Sequence, residues 1–169
     1  AFYALSAVTS PFMGQNFSAG KIDRLEEARR VIGRFCIVYG LGIALLLAVL
    51  ARPVTGLFTD TAAIQQVSVE YLWIMVISYG GYGIVMAMCA AFNGVGYPIP
   101  GLIISISRAV IIFLPLAVLG RWLIGLNGIF VAAAVSNILI AVFGYLWLGR
   151  NIRRVKNGLG PGLRRRGVV

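Results

Sequence analysis

The sequence contains no histidine. That absence removes imidazole general bases, Ser/His/Asp and Cys/His nucleophile systems and His-ligated metals from the chemistry this chain can supply by itself. Acids are scarce too: 5 Asp and Glu stand against 15 Lys and Arg, and Asp23, Glu26, Glu27, Asp60 and Glu70 all lie outside the apolar runs. Cys36 and Cys89, the 2 cysteines, fall inside those runs with no CxxC spacing. They read as small buried hydrophobes and carry no redox signal. Charged residues amount to 12% of 169, against 60% apolar and a mean hydropathy of +0.92, which excludes an ordinary soluble domain. The net charge of +10 sits mostly outside the apolar runs. The bilayer rather than nucleic acid therefore decides where those cations lie, and nucleic acid is not an expected partner.

What is present is a series of apolar runs of membrane length. Residues 31–51, 71–92, 100–119 and 124–149 each meet the length needed to cross ~30 Å of hydrocarbon, and 1–13 forms a fifth, incomplete run. Strands would need a closed barrel with period-2 alternation, which the runs lack, so helix is the state required. The expected fold class is an all-α membrane protein: a polytopic transmembrane helix bundle with a truncated helix plus four full transmembrane helices. It occupies 1–149, and 150–169 is expected to be a basic, disordered cytoplasmic tail resting near anionic membrane lipids. Nothing resembles a cleavable signal peptide, and a start at Ala1 partway into an apolar stretch suggests that the N-terminus is a cut.

The cations set a direction. Lys21, Arg24, Arg29, Arg30 and Arg34 precede or open the first full span, and Arg150, Arg153, Arg154, Lys156, Arg164, Arg165 and Arg166 follow the last. Four crossings put both groups on one face, whereas the opposite connections hold Arg52 and Arg121, so the basic face and the C-terminus are expected in the cytoplasm. Around 23–31, Leu25, Ala28, Arg29 and Ile32 recur at helical spacing, with Glu26 and Glu27 placed to pair with Arg30, which predicts a helix running straight into the first span. Thr59 or Asp60 is expected to cap a short surface helix through Glu70, with Ile64, Val67 and Leu72 against the bilayer.

Four patterns inside the runs bear on function. The string from Gly14 to Lys21 fails as a phosphate loop, because five residues separate Gly14 from Gly20 and Ile22 stands where Ser or Thr is needed. In the second full span, Tyr71, Met75, Ser78, Tyr82, Met86, Cys89 and Asn93 fall within about 80° of one another at ~100° per residue. This stripe is either a lining for a pathway that takes apolar and cationic substrates or ordinary helix packing, with Gly80, Gly81 and Gly83 as a soft point. Arg108 stands roughly 12 Å from the start of the third span at Pro100, with no intramembrane acid to pair it. It snorkels to the interface, faces protein or water, or pairs with a carboxylate from a segment not in this chain. Pro115 is expected to kink that span by removing the bond to the Ile111 carbonyl. In the last span Gly128, Ala132 and Ser136 form a small-residue packing stripe, and Asn137 needs an interhelical partner.

Several strings together resemble the multidrug and toxic compound extrusion (MATE) transporters: Pro11-Phe12-Met13-Gly14-Gln15-Asn16 with Ala19-Gly20-Lys21, Leu57-Phe58-Thr59-Asp60 followed by Tyr71-Leu72-Trp73-Ile74, Ala91-Phe92-Asn93-Gly94-Val95-Gly96-Tyr97-Pro98, and Leu114-Pro115-Leu116-Ala117. In order and spacing they look like the second half of that family, the end of its eighth helix and its ninth to twelfth. The resemblance implies a C-terminal lobe lacking its N-terminal partner lobe, in a multi-pass protein of the cytoplasmic membrane. It implies antiport, with small organic cations or amphipathic xenobiotic compounds exported as Na+ or protons enter and the lobes rock to alternate access. No organic cofactor is expected. The family's coupling carboxylates lie in membrane helices; the runs here hold none, so no coupling residue carries over and the ion site is expected outside this chain. The family's tenth helix lines the central cavity, which favours Tyr71, Met75, Ser78, Tyr82, Met86 and Asn93 as the substrate pathway, with Ser78, Tyr82 and Met86 as wall residues.

Three other functions compete. A lipid-linked oligosaccharide flippase of the same superfamily would want a cationic cavity for pyrophosphate, and Arg108 points that way. An intramembrane lipid transferase lacks catalytic His and any intramembrane acid, so a non-enzyme is expected. A purely structural subunit is the fourth.

Overall fold

A computed structural model describes residues 1–158. Its helices are α1 (Phe2–Ser18), α2 (Ile22–Phe58), α3 (Ala62–Val76), α4 (Tyr79–Gly94), α5 (Ile99–Ile106), a π-helical segment (Ser107–Phe113), α6 (Leu114–Ile124) and α7 (Leu126–Lys156). There are no strands among the described residues, as a chain that must satisfy its backbone inside hydrocarbon requires unless it closes a barrel. Among the described residues three stretches are long and apolar enough to cross a membrane, Ile22–Phe58, Ile99–Ile124 and Leu126–Lys156, with a fourth if α3 and α4, bent by 54° at their junction, count together.

The expected runs map onto these helices with shifts that have physical causes. Residues 23–31 do continue into the first span, as part of the 37-residue α2. No boundary falls at Glu70: α3 runs from Ala62 through Tyr71 to Val76, and the chain breaks at Ile77 and Ser78 instead. Gly80, Gly81 and Gly83 lie just past that break. The third and fourth runs extend towards each other until Gly125 alone separates α6 from α7. Its φ of +66° is a conformation that costs glycine little and other residues much. Pro115 lies inside the continuous helical stretch Ile99–Ile124, and the wider π-helical segment just before it accommodates the N–H that proline lacks.

The tail expected to begin at 150 is a correction. α7 stays helical to Lys156 because its end is packed: Asn151 and Ile152 are buried, and Lys156 Nζ lies 2.6 Å from Asp23 Oδ1. Residues 159–169, including Arg164, Arg165 and Arg166, lie outside the described residues.

α4 is the central helix, packed on α1, α2, α5 and α7. Small residues make this possible where helix axes approach closely. A Cβ on Gly14 would stand 2.6 Å from the Gly94 carbonyl oxygen, and one on Gly40 2.5 Å from the Gly80 backbone. Gly120 and Gly128 place the backbones of α6 and α7 in direct contact, and the expected stripe of Gly128, Ala132 and Ser136 is buried. Met13, Phe17, Cys36, Met88, Phe92, Ile140 and Leu148 fill the core. The Leu-rich half of α2 and the end of α6 are exposed, with Leu45 at 70% and Trp122 at 91%, as befits surfaces for which lipid rather than water is the solvent.

A polar clasp joins α2 to α7 at the basic end. Arg29 is buried, donates to Glu26 at 2.6 and 2.8 Å and to the Tyr145 carbonyl at 3.3 Å, and stacks 4.1 Å from the centre of the Tyr145 ring. Gly149 and Gly33 leave room for that guanidinium and that ring. The hydrogen bond from Arg29 outweighs desolvation and holds the Glu26 carboxyl below its ordinary 4.5. Arg30 adds a bond of 3.1 Å to Glu26, whereas Glu27, the other residue expected to pair, lines an apolar hollow with Arg24 between α1 and α2.

Candidate functional site: a polar cluster around Arg108

The break between α3 and α4 brings five polar side chains together. Ser78 is fully buried there and donates from Oγ to the Met75 carbonyl at 2.9 Å, beside the bond of 3.0 Å that its own backbone N–H makes to the same oxygen. Asn137 of α7 donates from Nδ2 to Ser78 Oγ at 3.2 Å. Arg108, near the start of the π-helical segment, donates from Nη1 to Asn137 Oδ1 at 3.2 Å. Its guanidinium also lies 5.5 Å from the centre of the Tyr82 ring, and Tyr82 O–H and Tyr3 O–H of α1 are 3.4 Å apart. A Cβ on Gly81 would come within 3.2 Å of the Asn137 carbonyl, so its absence lets α4 and α7 close on this cluster.

Electrostatically the cluster is unbalanced. An arginine in hydrocarbon costs ~3 kcal/mol on insertion scales unless it is solvated or paired. Among the described residues Arg108 has no carboxylate partner, and its buried Nε finds no acceptor. Asn137 and the Tyr82 ring offer dipole and quadrupole stabilisation, neither of which cancels a full charge. The guanidinium thus engages protein rather than snorkelling, and it retains donors for an anion. No group of three or more Asp, Glu or Cys side chains suited to a metal ion occurs among the described residues.

Of the stripe read from the sequence, Ser78 and Tyr82 join Arg108, while the others lie elsewhere. The 54° bend separates Tyr71, which meets the Phe130 ring edge-on at 5.0 Å and lines a hollow of about 470 Å³ with Val54, Phe58 and Ile64. Met75 contributes its carbonyl, and Met86 is half-buried further along α4. Cys89 turns to α5, with Sγ 3.5 Å from the Gly101 carbonyl and 3.7 Å from Ser105 Oγ, and Asn93 is exposed at the end of α4. Tyr3 and Asn137 complete the cluster although neither stood among the pathway residues. Asn137 had a signal, a lone amide in an apolar run; Tyr3 had none.

In sequence and fold the chain is similar to membrane transporters. The MatE family model matches residues 1–119. The FAD transporter of Shewanella oneidensis is 32% identical over 154 residues, covering 90% of this chain and 34% of that protein. The Vibrio cholerae MATE transporter VcmN in its bent form superposes with a TM-score of 0.88 at 29% identity, over 95% of this chain and 36% of VcmN. An inward-facing multidrug resistance MATE family transporter of the MOP superfamily superposes with a TM-score of 0.85 at 21% identity, over 92% of this chain and 36% of that one, and speaks for the fold alone. The chain spans about a third of the length of these relatives. A family match over residues 1–119 and the agreement in fold lead to one conclusion: the chain belongs to the MatE family of multi-pass membrane transporters.

Proposed function

We propose that this chain is part of the second lobe of a secondary active efflux antiporter of the cytoplasmic membrane, with its C-terminus in the cytoplasm, and that the transporter's substrates are amphipathic aromatic compounds carrying negative charge. One observation carries the choice of substrate: Arg108 is held by Asn137 and Tyr82 without a carboxylate among the described residues. The sequence alone reads as a lining for cationic or amphipathic compounds. A cation approaching this cluster would meet a like charge at low dielectric, whereas a phosphate or carboxylate would neutralise it. Tyr82 and Tyr3 offer flat faces for an aromatic ring, and the relative named for FAD transport handles a molecule with both features. Several drug-like compounds of that kind would share the site. The first lobe supplies the Na+ or proton coupling carboxylates, since none of the 5 acids of this chain lies in the apolar runs 31–51, 71–92, 100–119 and 124–149.

The test is export from everted vesicles carrying the full-length protein under an imposed Na+ or proton gradient. Gradient-driven transport of FAD, reduced at least tenfold in Arg108→Gln and partly kept in Arg108→Lys, is expected. Transport of an organic cation alone, indifferent to Arg108→Gln, would refute the reading. The flippase reading rests on the same guanidinium, which suits a pyrophosphate; accumulation of lipid-linked oligosaccharide in a deletion strain would select it.

A further inference from the structure

We infer that the basic end of α7 holds the headgroup of an anionic phospholipid. Phe143, Trp147, Arg150, Asn151 and Arg154 line a hollow of about 230 Å³. Steps of three and four residues place all five on one face of the helix. The floor of the hollow is fixed: the Trp147 ring packs 5.7 Å from that of Phe92 and 5.3 Å from that of Phe143, and buried Asn151 donates to the Trp147 carbonyl at 3.0 Å.

Its rim is cationic and unneutralised. Arg150 and Arg154 are exposed, and among the described residues neither has a carboxylate partner, whereas Lys156 is paired with Asp23. After Glu70 the sequence has no Asp or Glu at all, so the half of the chain that builds this face offers no acid of its own. Two guanidinium groups one turn apart present forked donors suited to a phosphodiester.

A lipid rather than a free anion is selected by what lies beside the rim. Leu139, Val142, Phe143 and Leu146 are exposed by 51, 55, 48 and 49% and form an apolar strip leading away from the arginines towards the middle of the span. Trp147 stands between strip and rim, the position an indole takes at the boundary of hydrocarbon and headgroup. A phosphodiester with two acyl tails fills both halves; inorganic phosphate fills one.

The experiment is native mass spectrometry of the full-length protein, delipidated in detergent and titrated with dioleoyl phosphatidylglycerol, dioleoyl phosphatidylcholine or inorganic phosphate. The wild type is expected to retain phosphatidylglycerol over phosphatidylcholine. The double variant R150Q/R154Q should lose about 30-fold of that preference. R52Q/R121Q, with the same change in net charge, should keep it. Unchanged helix content in both variants separates loss of the site from loss of the fold. Equal retention of the two lipids by the wild type, equal retention of phosphatidylglycerol by the wild type and R150Q/R154Q, or displacement of phosphatidylglycerol by millimolar phosphate would each overturn the inference.

Discussion

Asn137 stands between Arg108 and Ser78, accepting from the first at 3.2 Å and donating to the second at 3.2 Å. A single amide thus ties the π-helical segment to the break between α3 and α4 through a third helix. Both of its polar ends are used, which fixes the orientation of the amide and with it the place of the guanidinium.

Asn137→Leu should therefore be costly. It removes the acceptor of Arg108 Nη1 and the donor to Ser78 Oγ, which keeps its bond to the Met75 carbonyl, at about 1–3 kcal/mol for a polar group left unmade. Thermal unfolding in detergent is expected to begin well below the wild type. Asn137→Asp places a carboxylate against Arg108 instead; it should unfold no earlier than Asn137→Leu, yet abolish export of anionic substrates by neutralising the charge that receives them.

Tyr82 separates ring from hydroxyl. Its face lies over the Arg108 guanidinium and its O–H near Tyr3. Tyr82→Phe keeps the face and is expected to retain most anion export, within about threefold; Tyr82→Ala removes it and should weaken apparent affinity while protein abundance stays constant. Equal loss in both variants would assign the function to the hydroxyl pair.

Packing at the α6–α7 reversal allows no side chain. Gly128→Ala introduces a Cβ against the Gly120 backbone, which must move. Overpacking of this kind costs about 1–3 kcal/mol. Gly42→Ala, with nothing near its added Cβ, should be neutral, and melting of the two variants in the same detergent checks the contrast.

The clasp at the basic end carries a pH dependence of defined sign. Arg29 and Arg30 hold the Glu26 carboxyl below its ordinary 4.5, so the folded state binds that proton less readily than the unfolded chain. The stabilisation is complete above 4.5 and is lost as pH falls through the lowered value. Glu26→Gln should melt earlier than the wild type at pH 7, and the gap should close as the sample is acidified below that range.

Much of this was legible beforehand because lipid imposes simple rules. Long apolar runs had to be helices, and the residues between 23 and 31 had the charge spacing of a helix that does in fact continue into the first span. Gly128, Ala132 and Ser136 announced close packing, which the buried α6–α7 contact shows. The site was less legible. Projecting Tyr71 to Asn93 on one straight helix ignores the break at Ser78: Gly80, Gly81 and Gly83 mark a soft point beside it, but glycines alone fix neither the size nor the direction of a 54° bend. Arg108 stood out as an isolated charge, but its partner Asn137 lies 29 residues away on another helix, and pairing at that range depends on how helices pack rather than on spacing. The continuation of α7 past Gly149 was missed because its support, the burial of Asn151 and Ile152 in the core, depends on how distant helices pack.

With Gly125 as its only joint, the stretch Ile99–Ile124 and α7 make a hairpin without slack. The glycines beside the joint clamp its legs, and Arg108 and Asn137 touch further along them. The two legs meet like the arms of tweezers fused at one end, with the polar grip of Arg108 on Asn137 further along. A displacement of Arg108 would be handed to Asn137 and, through it, to the kink at Ser78 in a third helix.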